Sequence, residues 1–226
     1  MLPSPDLNAR NKSAWEALYA STSDSIWGRE PVGFLTSFLP DAASLPPGEV
    51  LDAAAGEGRN LPLLLALGRP VVACDASASA LAKIPPELAR AVRTLTCDLA
   101  QVPLPDSSCA FILASDLIET LPDPEPILRE LARLLAPGGL LLANIPDSDD
   151  GVAGIDMQPA GPGWMYQEKY YFRFYEPTEA AHLLTRAGLS KVRDEVCEWI
   201  EYPHPHFRAT AHTHRSHVLL AGRGMA

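Results

Sequence analysis

The sequence predicts an α/β fold in which a mostly parallel sheet carries helices on both faces. Two observations predict it. Strand-like and helical segments alternate from Val50 to Ile145, which is the pattern of a parallel sheet covered by helices. Within this range, an apolar strand runs directly into a glycine-bearing turn and then into a helix, in EVLDAAAGEGRN at 49–60 followed by LPLLLALG.

Composition limits the domain count and the partners. The 226 residues, 47% of them hydrophobic, suit a single domain over 1–226 with a sizeable core. The formal charge of −10 repels phosphate backbones and anionic membranes, so we expect neither a nucleic acid nor a membrane as partner. No secretory segment opens the chain and no apolar run approaches about 18 residues, so a cytoplasmic location is expected.

Two short helices are predicted within residues 1–46. Ala14 and Leu18 recur at helical spacing and indicate an amphipathic helix near 11–20. Pro31 suits the first turn of a second helix, in PVGFLTSFLP.

The glycine turn after the first strand has the features of a nucleotide-binding turn. Gly56 and Gly58 permit backbone conformations and close approaches that other residues forbid, and the helix from Leu61 points free N–H groups at the turn. The next strand, VVACD, ends at Asp75, whose carboxylate can accept both hydroxyls of a ribose. The plainer alternative is a tight connection that binds nothing.

Spacing separates the nucleotide-binding candidates. A dinucleotide fingerprint needs a third glycine three residues after the second, and Leu61 occupies that position. The phosphate-binding loop that ends in Gly-Lys-Ser or Gly-Lys-Thr is absent from the sequence. A nicotinamide-dependent oxidoreductase is therefore the weaker interpretation.

Further motifs follow in order. In TLTCDLAQVPLPDSSCAFILASDLIETLP at 94–122, one strand ends at Cys97 and Asp98, and a second, at 110–114, is followed by Ser115 and Asp116. PILRELARLLAPGGLLLANIP at 126–146 predicts a helix, a Pro-Gly-Gly turn and another strand. The polar residues thus fall at the carboxyl ends of strands, where ligands of parallel sheets bind.

Together these motifs resemble those of the class I S-adenosylmethionine (SAM) methyltransferases. The form LDAAAGEGRN is similar to the variant in tellurite-resistance-type and thiopurine-type methyltransferases. The resemblance implies a Rossmann-like sheet of seven strands with an antiparallel hairpin at its C-terminal edge, from VRDEVCEWIEY and SHVLLAGR. It also implies SAM as cofactor and S-adenosylhomocysteine (SAH) as product.

The resemblance implies roles for individual residues. In the family, an acidic residue at the position of Asp98 bonds the adenine amino group, and the residue at Leu99 supplies a backbone N–H. Trp27 and Arg29 resemble the N-terminal lid, although core packing and a surface ion pair are comparably good interpretations. The cofactor positions that the resemblance implies are Trp27, Arg29, Asp52, Ala53, Ala54, Gly56, Gly58, Arg59, Asn60, Asp75, Ala76, Ser77, Cys97, Asp98, Leu99, Ser115 and Asp116.

The domain divides into three regions by these assignments. We expect lid helices at 1–46, a cofactor-binding core at 47–146, and a substrate-side insertion with the hairpin at 147–226. The Asp- and Gly-rich run DSDDGVAGIDMQPAGPGWM, after Pro146, predicts a long surface loop.

Catalytic residues are harder to assign, because an in-line methyl transfer mainly needs alignment and exclusion of water. A hydroxyl or amine acceptor would need a base, for which Asp116, Glu119 or a histidine such as His206 qualifies. Asp116 is an equally good helix cap. Arg29 is a further candidate, as a guanidinium that could hold an anionic acceptor.

Five of the six histidines cluster near the C-terminus: His204, His206, His212, His214 and His217. The sixth, His182, is expected to be structural. On a strand, His212 and His214 face the same side, so a metal site can be drawn. Since the spacing lacks a compact ligand set, we expect substrate-facing or surface histidines and no bound metal.

The sequence thus favours a SAM-dependent methyltransferase that acts on a small molecule. The principal alternative is a SAM-binding protein with a regulatory or partner role and no transfer activity. A monomer or a homodimer is expected.

Overall fold

The computed structural model describes residues 5–204 and 206–223. Its α-helices are α1 (Pro5–Ala20), α2 (Leu35–Phe38), α3 (Leu61–Leu65), α4 (Ala78–Leu81), α5 (Pro86–Ala89), α6 (Glu125–Leu134) and α7 (Pro177–Arg186), with 3₁₀ turns at Ala42–Ser44 and Ile118–Thr120. Its strands are β1 (Glu49–Ala53), β2 (Val71–Asp75), β3 (Arg93–Thr96), β4 (Cys109–Ala114), β5 (Leu135–Pro146), β6 (Met157–Ala160), β7 (Gly163–Tyr166), β8 (Tyr170–Phe172), β9 (Leu189–Glu201) and β10 (His212–Arg223).

Seven strands form the main sheet, in the order β3-β2-β1-β4-β5-β10-β9. β1 to β5 pair in parallel, whereas β10 runs antiparallel to both β5 and β9. The Rossmann-like sheet with an antiparallel edge hairpin is therefore confirmed. The strand order reverses between β1 and β4, and in such sheets the crevice at this point receives the ligand.

The core lies on both faces of the sheet. Successive strand residues point to opposite faces, so Val50 and Phe111 pack into one apolar cluster and Leu51 and Ile112 into the other. All of these side chains are fully buried. Burial on both faces explains why these strands are continuously apolar.

The predicted turn at Pro-Gly-Gly is wrong in one respect, because β5 begins at Leu135 and contains it. The register between β4 and β5 shifts at this point. A Cβ on Gly139 would lie 2.9 Å from the carbonyl oxygens of both Ala136 and Cys109. Glycine here permits a bulge within the strand rather than a separate connection.

The predicted loop after Pro146 is also only partly correct, since it contains β6 and β7. With β8 these strands form a second, three-stranded antiparallel sheet, so the described chain has ten strands rather than seven. Tyr166 and Tyr170 of this sheet pack with Leu18 and Tyr19 of α1. The aromatic contacts stabilise strands whose own sequence pattern is weak.

Two other elements are longer than predicted. α1 begins at Pro5 instead of near residue 11, and β10 begins at His212 instead of Ser216. His212 and His214 pair with Glu201 and Trp199 of β9, which carries the hairpin beyond the sheet edge. Among residues 5–204 and 206–223, the structure has no helix both long and apolar enough to cross a bilayer.

Candidate functional site

One large cavity opens at the carboxyl ends of the central strands, by the point where the strand order reverses. Twelve of the predicted cofactor positions line it: Trp27, Ala54, Gly56, Arg59, Asn60, Asp75, Ala76, Ser77, Asp98, Leu99, Ser115 and Asp116. The other five predicted cofactor positions do not line the cavity: Arg29, Asp52, Ala53, Gly58 and Cys97. The catalytic candidate His206 does not line it either.

The glycine turn brings bare backbone to the cavity. Ala54, Gly56 and Gly58 all have positive φ angles, of 65°, 53° and 79°. A Cβ on Gly56 would lie 3.2 Å from the hydroxyl of Tyr19, and one on Gly58 would lie 2.8 Å from Leu61. Gly56 therefore keeps the cavity wall open, whereas Gly58 allows the turn to pack on α3.

Asp75 is held at the end of β2 by backbone amides. Its Oδ2 accepts a hydrogen bond from Gly56 N at 2.9 Å, and its Oδ1 accepts one from Ser77 N at 2.8 Å. Each oxygen keeps a further lone pair for a ligand. Burial raises the pKa of Asp75, although these hydrogen bonds oppose the shift.

Asp52 lies behind the turn, with only 1% of its surface exposed. Its Oδ2 has no hydrogen-bond partner among the described residues. Burial and then the neighbouring charge of Asp75 raise the pKa of Asp52 to about 7. The turn thus covers a carboxyl group that is half protonated near neutrality.

Asp98 also lines the cavity and lies two residues after the end of β3. Its Oδ2 lies 2.7 Å from Lys12 Nζ, and its Oδ1 accepts a hydrogen bond from Ala100 N at 2.9 Å. Lys12 belongs to α1 and also lines the cavity, although sequence reasoning did not identify it.

Arg59 connects two carboxylates across the cavity. Its Nη2 lies 2.7 Å from Asp116 Oδ2, and its Nη1 lies 2.8 Å from Glu201 Oε1. Asn144 also fixes Asp116: it accepts from Asp116 N at 2.8 Å and donates to Asp116 Oδ1 at 2.9 Å. The alternative in which Asp116 caps the following helix is wrong, because that turn has no side-chain cap.

His204, His212 and His214 line the cavity, in place of the predicted His206. His204 Nε2 lies 3.2 Å from Glu201 Oε1. His206 instead faces Asp24, at 3.5 Å. Alternating positions in a loop do not reveal which side chain points inward, so the sequence offered no signal for this choice.

Hydrogen bonding assigns the protons of the other two histidines. His212 Nδ1 lies 3.0 Å from the carbonyl of Thr210, so it carries a proton, and its Nε2 lies 3.1 Å from His214 Nε2. His214 Nδ1 lies 3.2 Å from Asp150 Oδ2 and must also carry a proton. A hydrogen bond between the two Nε2 atoms needs one further proton, so the two rings together would carry one positive charge beside a buried carboxylate.

The pKa shifts favour His214 as the ring that holds this charge. Burial lowers the pKa of His214, but the Asp150 carboxylate outweighs it and leaves that pKa raised. Burial lowers the pKa of His212. Among the described residues, no three His, Cys, Asp or Glu side chains are grouped so that they could hold a metal ion.

Glu119 is a buried carboxyl group on the same side of the cavity. Its Oε2 has no hydrogen-bond partner in the described part of the chain. Burial, followed by the charge of Asp116, raises the pKa of Glu119 well above its usual range. A neutral Glu119 can donate a hydrogen bond into the cavity.

Glu57 anchors the segment that precedes the first strand. Its carboxylate accepts hydrogen bonds from Ile26 N at 2.9 Å, Trp27 N at 3.3 Å and Ser25 Oγ at 2.8 Å. Arg29 donates to the carbonyl of Glu57 at 3.2 Å and lies on the surface. The only available sequence signal was an acidic residue placed between two glycines.

Aromatic side chains from distant segments enclose the cavity. Phe207 is central, with its ring centre 5.6 Å from Trp15, 5.2 Å from Trp27 and 6.2 Å from Phe172. Trp27 Nε1 also donates to the Tyr19 hydroxyl at 2.8 Å. These four ring systems, from Trp15, Trp27, Phe172 and Phe207, form what we call the aromatic roof, and all line the cavity.

Residues 51–143, which contain the glycine turn and most of the predicted cofactor positions, match the family described as "Methyltransferase domain". The resemblance to the class I SAM-dependent methyltransferases is thus confirmed for this region. The finer resemblance to the tellurite-resistance-type and thiopurine-type enzymes stays a prediction.

A curated relative of this methyltransferase domain is a probable S-adenosylmethionine-dependent methyltransferase of Mycobacterium tuberculosis. It is 32% identical over 144 residues, which are 64% of this chain and 49% of the relative. The chain therefore spans about half the length of the curated relative it matches.

Solved structures share the methyltransferase fold. The 1,6-didemethyltoxoflavin-N1-methyltransferase of Burkholderia thailandensis, solved with 1,6-didemethyltoxoflavin and SAH bound, has a TM-score of 0.67 at 22% identity, over 100% of this chain and 92% of that one. The cyclase SpnF has a TM-score of 0.62 at 14% identity, over 100% of this chain and 99% of that one. With the SAM-dependent relatives, these findings support SAM as the cofactor.

Proposed function

We propose that this chain transfers the methyl group of SAM to a small-molecule acceptor. The observation that carries the proposal is the continuity of the cavity, which is lined by predicted cofactor positions such as Asp75 and Asp98 and also by Asp116, Glu119 and His212. The aromatic roof narrows the space for a second ligand and favours a small one. The Burkholderia relative, which holds a small heterocycle beside SAH, supports this choice.

The donor set fits SAM. The open backbone at Gly56 would accommodate its amino-acid part, Asp75 would accept its ribose hydroxyls, and Asp98 with the N–H of Leu99 would hold its adenine. Lys12 pairs with Asp98 and would lie beside the same base. When bound, SAM supplies an electrophilic methyl group on a sulfonium.

The chain's own residues would orient the acceptor and remove its proton. Methylation of an O–H or N–H acceptor releases one proton. Asp116 is our proposed proton acceptor, since Asn144 and Arg59 fix its carboxylate while one lone pair of Oδ1 stays open. The roof would exclude water, which competes with the acceptor.

Incubation with methyl-labelled SAM and a panel of aromatic hydroxyls, amines, carboxylic acids and thiols tests the function. We expect label transfer to at least one class. For an O–H or N–H acceptor, Asp116→Asn should slow transfer about 10²–10⁴-fold with SAM affinity retained. Asp123→Asn, at an exposed position, is the control. SAM binding without transfer to any class would instead support a binding protein.

A further inference from the structure

Arg208 is a buried arginine on the cavity wall, and no residue within 5–204 and 206–223 supplies an anionic partner for it. The residue is 9% exposed, and its guanidinium carbon lies 4.7 Å from the centre of the Tyr166 ring. Within residues 5–204 and 206–223, its guanidinium makes no hydrogen bond and no ion pair. Arg59, the other arginine of the wall, is paired with two carboxylates.

The backbone around Arg208 is held in place. His204 N donates to the Arg208 carbonyl at 2.7 Å, and Phe207 N donates to the His204 carbonyl at 2.9 Å. The Tyr166 hydroxyl donates to the Phe207 carbonyl at 3.2 Å. The backbone of Arg208 is thus fixed at the cavity wall, and its side chain is among the residues that line the cavity.

The acidic groups near the cavity make their close contacts with residues other than Arg208. Glu201 is held by Arg59 and His204, which overcome burial and keep its pKa at about 2. Asp150 Oδ2 lies 3.2 Å from His214 Nδ1, and burial raises the pKa of Glu119 well above its usual range. Among residues 5–204 and 206–223, none of these carboxyl groups pairs with the positive charge of Arg208.

A buried charge is costly unless it is paired, and a guanidinium matches a carboxylate with two parallel hydrogen bonds. The aromatic roof beside it favours a flat ring, which stacks on neighbouring aromatic side chains. We propose that Arg208 binds a carboxylate carried by a planar aromatic acceptor, an assignment that rests on the proposed methyl-transfer function.

The amino-acid part of SAM also carries a carboxylate, so the experiment must separate the two sources. The SAH-saturated protein is titrated calorimetrically with benzoate, salicylate and 2-naphthoate, and with the corresponding neutral amides. In parallel, SAH affinity is measured for each protein variant. Neither measurement depends on turnover, so failure of methyl transfer and failure of the Arg208 assignment are distinguishable.

At least one carboxylate should bind the wild-type SAH complex about tenfold or more tightly than its amide, as expected for a hydrogen-bonded charge. Arg208→Gln should abolish this preference, Arg208→Lys should reduce it, and the exposed Arg129→Gln should leave it intact. All variants should retain SAH affinity within about threefold.

Three results would overturn the assignment. Carboxylates and amides could bind equally well or not at all, or the preference could persist in Arg208→Gln. A drop of tenfold or more in SAH affinity without carboxylate discrimination would assign Arg208 to the cofactor instead. Thermal unfolding of each variant guards against a folding defect, which is not expected because the substitution removes an unpaired buried charge.

Discussion

Asp52 illustrates how burial of a single side chain couples ionisation to stability. Its carboxyl group lies under the glycine turn, and its pKa is raised from the usual 3.8 to about 7. The folded state therefore binds a proton that the unfolded state releases between these two values. Ionisation of Asp52 destabilises the fold, so this contribution is favourable at low pH and is lost as the pH rises toward 7.

Asp52→Asn should remove this pH dependence. The difference in unfolding free energy between Asp52→Asn and the wild type should increase from about pH 4 to about pH 7, by a few kcal/mol, and then level off. Urea denaturation of the ligand-free protein at several pH values measures it. A difference that stays constant over this range would mean that Asp52 ionises normally.

At the scale of elements, Glu57 attaches the segment from Ser25 to Trp27 to the glycine turn. The sequence resemblance compares this segment with an N-terminal lid, and we predict that it closes over bound cofactor. The structure adds that its backbone is anchored at two amides, which belong to Ile26 and Trp27. Any closure must therefore involve the residues on either side of the anchor.

Glu57→Ala should release the anchor. Amides of Ile26 and Trp27 should exchange slowly with deuterium in the ligand-free wild type and much faster in the variant, whose stability should fall by about 2 kcal/mol or more. Glu87→Ala, at an exposed position of α5, is the matched control. Equal exchange in Glu57→Ala and the wild type would rule out the anchoring role.

At the scale of the whole molecule, the main sheet was predictable because its signals are local. Chain direction alone predicts that the glycine turn and carboxylates such as Asp75 and Asp98 lie together at the carboxyl ends of the parallel strands. The second sheet was not predictable, since β6 and β7 contain four residues each, with Pro159 inside β6 and a glycine turn at Gly161 between the strands. Its strands depend on contacts with α1, which lies far away in sequence.

The acceptor side of the site was also not predictable from the sequence, because it too depends on contacts between distant segments. Arg208, His204 and Glu119 enter the cavity from segments that have no common motif, and their burial follows from how these segments pack. Arg29 and His206 have suitable chemistry but face elsewhere. Residue type and spacing could thus predict that residues such as Asp75 and Asp98 line the cavity, and their role in cofactor binding stays a prediction. Which side chains point inward on the other side could not be predicted without the fold.

The central claim is that the cavity at the strand-order reversal binds SAM. Isothermal titration calorimetry tests it most directly: SAM and SAH should each bind at one molecule per chain, and NADH should not bind. Asp75→Ala should weaken SAM binding by about 1.5–3 kcal/mol, the scale for a hydrogen bond to a charged group, while the surface substitution Asp106→Asn should not. Binding of NADH without SAM, or wild-type SAM affinity in Asp75→Ala, would contradict the account.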